Sequence, residues 1–230
     1  MVRKVKIDYK EKIRITKLWI KRVLGVSMLF LITYVIGTFN PNTHSTNKLA
    51  KEYETKYLER LKELDLREPE FTYKNDIQFV RATHKCIDFL NFSQPDVFRV
   101  PYEMITAQAA LESGWGTSRF AVDGNNLFGI RVFKSTAKHL LPEGMEEWPG
   151  WGVRVFETKC DSVKEYIRLL NEHPAYEDFR NMRATMWAKN QKLDSTKLIK
   201  TLKAFSTTTD YAERVINMMS KIEKVQSSKE

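Results

Sequence analysis

Between Pro101 and Gly116 the chain spells out a helix that has to stop, and it stops beside a carboxylate. Tyr102 to Leu111 is dense in strong helix formers, Ala107, Ala109, Ala110 and Leu111 among them. Pro101 suits the start, because its missing N–H would be unpaired there anyway. Ser113-Gly114 and then Gly116 end the pattern, since glycine accepts the left-handed conformation common at helix C-termini. Glu112 therefore falls in the last turn, against the negative end of the helix dipole, at a cost of about 0.3–1 kcal/mol. A helix built only for stability would carry Lys or Arg at that point. The same field raises a carboxyl pKa, which suits a group that must keep its proton near neutral pH. The plain alternative is a solvated Glu on a frayed helix end.

The flanking residues bear on that choice. Gly114 and Gly116 let backbone approach a ligand closely. Trp115, Phe120 and Phe128 offer flat apolar faces of the kind that pack on sugar C–H surfaces. Asn125 and Asn126 each bring an acceptor and two donors for hydroxyl or acetamido groups, although a turn or helix cap uses the same chemistry. Leu127-Phe128 also reads as plain core. Taken together, the segment is equipment for holding a sugar and protonating a glycosidic oxygen.

On these residues the chain resembles the glucosaminidase-domain proteins of glycoside hydrolase family 73, bacterial proteins that cleave peptidoglycan, and within them the Bax-type proteins. The run at 110–121, Ala110-Leu111-Glu112-Ser113-Gly114-Trp115-Gly116 through Ala121, and Gly124-Asn125-Asn126-Leu127-Phe128-Gly129-Ile130 carry it. It continues through Val153-Arg154-Val155-Phe156 and the stretch Leu170 to Glu177, and covers about 75–225. The resemblance implies a lysozyme-like helical fold, β-N-acetylglucosaminidase activity and Glu112 as the catalytic acid. The substrate contacts to expect are Gln108, Trp115, Asn125, Asn126, Phe128 and Phe205. Phe205 departs from the pattern. Similar domains carry a cleft tyrosine where this chain reads Lys203-Ala204-Phe205-Ser206-Thr207, so the hydroxyl that would orient the acetamido group is missing. Tyr211 is similar to a later helix tyrosine of the family.

Glycoside hydrolysis usually takes two carboxyl groups, an acid and either a base or a nucleophile. The second is not evident here. Glu143, Glu146, Glu147 and Asp123 each read equally well as solvated loop charges. A substrate acetamido nucleophile would serve with a single acid. The lead reading is an endo-β-N-acetylglucosaminidase acting on peptidoglycan glycan strands. Its rivals are a lytic transglycosylase and a glycan-binding protein with an impaired site.

The formal charge of +9 invites a nucleic-acid reading, but its distribution removes it: residues 1–22 contribute +7 and the other 208 only +2. Behind that basic arm, Val23 to Phe39 carries no charge over seventeen residues, close to the about 20 that a spanning helix needs. Basic residues on its N-terminal side predict a cytoplasmic N-terminus. Asn40 to Thr46 offers no small-residue cleavage site, so an uncleaved signal anchor is expected, with the catalytic domain on the periplasmic or extracytoplasmic side of the cytoplasmic membrane. Cys86 and Cys160 leave a disulfide and two buried free thiols both open. With His44, His84, His139 and His173 scattered, no metal site is expected, and no cofactor.

The expected organisation is a cytoplasmic arm over 1–22, a transmembrane anchor over 23–39, a linker and exposed helix over 40–70, with the helix at 48–68 ended by Pro69, and a glucosaminidase domain over 71–228 that acts as a monomer. The fold class is mainly α, a lysozyme-like helical domain preceded by a transmembrane helix. Helices are predicted at 77–92, 102–111, 161–171, 175–189, 195–204 and 209–224. Pro142, Gly144, Pro149, Gly150 and Gly152 break the helical period, and Gly152 to Phe156 alternates, which predicts a small β-hairpin lobe over the cleft. Trp148 and Trp151 would either cover substrate from that lobe or anchor it.

Overall fold

A computed structural model describes residues 9–39, 43–64, 66–92 and 94–227. The chain divides into two units, 1–56 and 57–230, and each is described by itself. Residues 1–8 of the basic arm, and residues 40–42 of the predicted linker, lie outside the described residues.

In the first unit, α1 runs unbroken from Tyr9 to Phe39, so the second half of the basic arm and the charge-free run share one helix. The described apolar side chains of that run are exposed, among them Leu24, Met28, Phe30 and Leu31. Side chains are described only as far as Tyr34. No helix among the described residues is long and apolar enough to cross a membrane. The run 23–39, expected to span the membrane, lies within α1. Helix α2, Thr43–Glu63, starts earlier than the predicted 48–68 helix and stops before Pro69. Its end is made by Leu66 N–H bonding back to the Leu61 carbonyl at 2.9 Å, so proline is not what terminates it.

In the second unit, α3 (Asp76–Asn91) begins on an Asn75 cap whose side chain accepts from Gln78 N–H. Helix α4 (Tyr102–Ser113) is buried almost all round: Met104 through Ala110 are each 1 % exposed or less. A helix apolar on every side belongs at the centre of a core, and α4 has α3 and α9 packed against it. The short α5 (Arg119–Asp123) follows, capped by Ser118.

The predicted hairpin is a three-stranded antiparallel sheet of β1 (Arg131–Val132), β2 (His139–Leu140) and β3 (Gly152–Arg154), in the order β1-β3-β2. Val153 pairs with both Arg131 and Leu140, so the alternating segment detected in the sequence is the central strand. Its two partners are only two residues long, too short to show a period.

Helix α6 (Lys159–Glu172) opens on a capping box between Thr158 and Asp161. A 3-10 turn at Pro174–Tyr176 leads into α7 (Glu177–Ala188). Helix α8 is Ser195–Ile199, half its predicted length. Beyond it the chain turns by three-residue steps, with Leu202 N–H bonding to Ile199 and Phe205 N–H to Leu202. Helix α9 (Tyr211–Ser227) closes the fold. The core gathers Phe79 and Ile87 of α3, Met104 and Ile105 of α4, Tyr166 and Leu170 of α6, and Val215 of α9. A disulfide between Cys86 of α3 and Cys160 of α6, with Cα atoms 5.7 Å apart, resolves the cysteine alternatives in favour of the bond.

Candidate active site

The end of α4 is made as the sequence requires. Gly114 caps it in the left-handed region at φ 57°, and two more left-handed residues follow, Trp115 at φ 59° and Gly116 at φ 80°. Trp115 N–H reaches back to the Ala110 carbonyl at 2.9 Å, and Gly116 N–H bonds the Ser113 hydroxyl at 2.7 Å. A left-handed tryptophan is strained, and such residues persist where the surroundings over-determine them. Here the indole packs edge-on to Phe79, with the Lys221 ammonium 5.1 Å from its ring centre. Gly116 has no room for a side chain: a Cβ there would sit 2.3 Å from the Tyr73 hydroxyl, which donates to the Gly116 carbonyl at 2.6 Å.

This turn brings Glu112 to the surface at the mouth of α4. The side chain is reached by solvent, yet the protein packed around it raises its carboxyl pKa above 4.5. Two groups on α9 act the other way, a hydrogen bond from the Tyr211 hydroxyl and the charge of Arg214, and they do not cancel the effect of burial. The Tyr211 hydroxyl is itself held above its usual range, by burial first and by the neighbouring Glu112 charge second. It therefore stays protonated and is a donor to the carboxylate.

Behind Tyr211 the polar chain continues. Gln108, one turn before Glu112 on α4, donates from Nε2 to the Tyr211 oxygen at 2.8 Å, and its Oε1 accepts from the Tyr166 hydroxyl. Aromatic rings enclose the set. Phe128 stacks on Tyr166 with centroids 4.3 Å apart, while Phe205 stacks on Tyr211 at 5.5 Å and meets Tyr166 edge-on at 6.0 Å.

The residues expected to contact substrate fall into two groups. Gln108, Phe128 and Phe205 lie with Glu112 in this cluster, while Trp115 packs against Phe79 beside Lys221. Gln108 is fully buried and Phe128 only 3 % exposed, so both face protein. Asn125 and Asn126 work elsewhere, in the loop below. Asn126 donates to the Ile130 and Arg154 carbonyls, both at 2.9 Å, and accepts from Phe128 and Ile130 N–H. Asn125, left-handed at φ 52°, donates to the Phe156 and Glu157 carbonyls and accepts from Lys159. The loop role that the sequence allowed for these amides is the one whose partners are present. Trp148 meets the His139 ring at 4.5 Å and Trp151 lies under the Arg131 guanidinium at 4.1 Å, so both pack on the sheet. Asp123, Glu143, Glu146 and Glu147 are exposed. Among the described residues no group of His, Cys, Asp or Glu is placed to hold a metal ion.

Sequence reasoning missed Tyr166, Tyr211 in its contact with the acid, and Arg214. Tyr166 sits in an amphipathic helix where a tyrosine reads as core, and nothing local pairs it with Gln108, 58 residues away. Only the first residue of α9 had a signal: a tyrosine directly after Thr209-Asp210 at a helix start.

A family model described as Glucosaminidase, mannosyl-glycoprotein endo-beta-N-acetylglucosaminidase, matches residues 96–224. Protein bax of Escherichia coli (strain K12) is 38 % identical over 108 residues, which are 47 % of this chain and 37 % of that protein. Peptidoglycan hydrolase FlgJ of Vibrio parahaemolyticus serotype O3:K6 is 30 % identical over 132 residues, 52 % of this chain and 40 % of FlgJ. The chain thus spans about two fifths of the length of these curated relatives. A solved peptidoglycan hydrolase from Sphingomonas sp. A1 is similar at 23 % identity and a TM-score of 0.48, over 62 % of this chain and 86 % of that one.

Proposed function

The chain belongs to the glucosaminidase family of glycoside hydrolases, and from that premise we propose that it is an endo-β-N-acetylglucosaminidase cutting the GlcNAc–MurNAc backbone of peptidoglycan, with Glu112 as general acid. The observation that carries the reading is Glu112 itself: a surface carboxyl at a helix end, pushed up by burial and met by a protonated hydroxyl. A raised pKa keeps the acid loaded near neutral pH. The Tyr211 donor then stabilises the carboxylate left once the proton has gone to the glycosidic oxygen.

No carboxylate is among the groups that perturb Glu112, which are Tyr211 and Arg214. A single clear acid is compatible with attack by the substrate's own N-acetyl oxygen in place of a second protein carboxylate. The same lone acid suits a lytic transglycosylase, and the two differ in product. The glucosaminidase leaves reducing GlcNAc ends, and the transglycosylase leaves anhydro-muramic ends.

The charge-free run to Phe39 behind a basic arm supports anchoring in the cytoplasmic membrane, N-terminus inside. A disulfide between Cys86 and Cys160 fits the oxidising outer side, where peptidoglycan lies.

The test is digestion of purified peptidoglycan by the full chain, wild type beside Glu112→Gln, with products read by mass spectrometry. Reducing GlcNAc ends from the wild type alone are expected. Anhydro-muramic ends would make it a transglycosylase. Sacculus binding without cleavage by either protein would make it a binding module.

A further inference from the structure

Gln108 is 0 % exposed, so it touches no substrate, and its amide is gripped at both ends by tyrosines of two other helices. The Tyr166 hydroxyl of α6 donates to Oε1, and Nε2 donates to the Tyr211 oxygen of α9 at 2.8 Å. A glutamine amide has one accepting end and one donating end. Flipped, the carbonyl would take the Tyr211 proton for itself and the Tyr166 proton would lose its acceptor. The orientation observed is the one in which the Tyr166 proton has an acceptor. The consequence passes to Tyr211. That hydroxyl has one proton, and its oxygen is already occupied as an acceptor by Gln108. The proton is left for another acceptor, and Glu112 stands one turn from Gln108 on the same helix that α9 packs against.

We infer that Gln108 is a positioning residue, oriented by Tyr166, that locks the Tyr211 hydroxyl as a hydrogen-bond donor to Glu112. The inference rests on the reading of Glu112 as the acid. The ladder moves no proton along itself, because burial holds both tyrosine hydroxyls above their usual range and keeps them neutral. The proton that Glu112 gives to the glycosidic oxygen is regained from water. What the ladder supplies is direction: the donor stands ready before the carboxylate forms, so no reorganisation is needed at that moment. Burying a polar chain from the core to the surface is justified only if every member is satisfied, and Tyr166, Gln108 and Tyr211 each have a partner. The charged and titratable groups facing Glu112 are Tyr211 and Arg214 of α9, with Tyr166 of α6 behind them. Tyr211 also faces Tyr176 of the 3-10 turn.

The experiment is a carbon-13 NMR titration of the Glu112 carboxyl in the full chain, labelled at glutamate and assigned by its loss in Glu112→Gln. The variants are Gln108→Met, Tyr211→Phe and the two combined. Tyr211→Phe removes the donor and should raise the Glu112 midpoint by about one pH unit. Gln108→Met keeps the volume, frees the hydroxyl, and should raise the midpoint by a smaller step that vanishes in the Tyr211→Phe background. A midpoint equal to wild type in Gln108→Met, or the same step in both backgrounds, would overturn the inference. Should Gln108→Met not fold, Tyr166→Phe removes only the proton that orients the amide. It should move the midpoint the same way, and no movement there would be equally decisive. The titration needs no turnover. A wild type that fails to cleave peptidoglycan therefore sinks the proposed activity while the ladder is still measured.

Discussion

At the level of single residues, Glu112 is a case of chemistry set against stability. Its folded pKa lies above the ordinary carboxyl value of 4.5, because the surrounding protein disfavours the charge. The native state therefore binds this proton more tightly than the unfolded chain does. Stability from this group is full below the unfolded value and is lost as pH rises through the folded one. Glu112→Gln keeps an acceptor for Tyr211 and removes the charge. It should abolish cleavage yet melt higher than wild type at pH 7, with the gain gone below pH 4. Calorimetry at the two pH values checks this, and a neutral-pH melting point below wild type would contradict it. Phe205 is the other informative position. Its ring fills the space against Tyr166 and Tyr211 that a cleft tyrosine would share. If the missing hydroxyl limits turnover, Phe205→Tyr should raise kcat about 2–10-fold, the worth of one neutral hydrogen bond. An unchanged kcat would remove that hydroxyl from the argument.

The loop from Gly124 to Ile130 and the sheet it feeds act as one element. Asn126 spends both amide protons and its carbonyl on four backbone groups of that loop and of β3, while only 1 % exposed. Asn126→Ala would strand those groups and should cost about 3 kcal/mol, read as a lower urea midpoint. Sacculus binding by the folded fraction should persist. A stable Asn126→Ala that no longer binds would return this amide to the substrate. The turn from Gly114 to Gly116 shows why a motif can be read correctly and its partners missed. The three positions announce a helix stop, but that Gly116 lies against Tyr73 follows from contacts 43 residues apart.

Taken whole, the globular unit is a buried α4 with α3 and α9 around it, and with α3 stapled to α6. The Cys86–Cys160 bond closes a separation of 74 residues, which in the chain-entropy account stabilises by about 4 kcal/mol. Replacing both cysteines by serine should lower the melting temperature by about 8–16 °C, and loss of less than a few degrees would show that packing alone holds α3 to α6. From the sequence alone came the helix positions, the stop after Ser113, the exposed acid in the last turn and the mainly helical class, because each is written in local propensity, glycine placement and period. The sheet was legible only through its central strand, since two-residue partners carry no period. The choice between thiols and disulfide, the turn that replaces the second half of the predicted 195–204 helix, and the ladder from Tyr166 through Gln108 to Tyr211 were decided by the tertiary structure. A hydrogen bond between residues 58 or 103 positions apart leaves no local trace. It exists only once packing has brought three helices to one point.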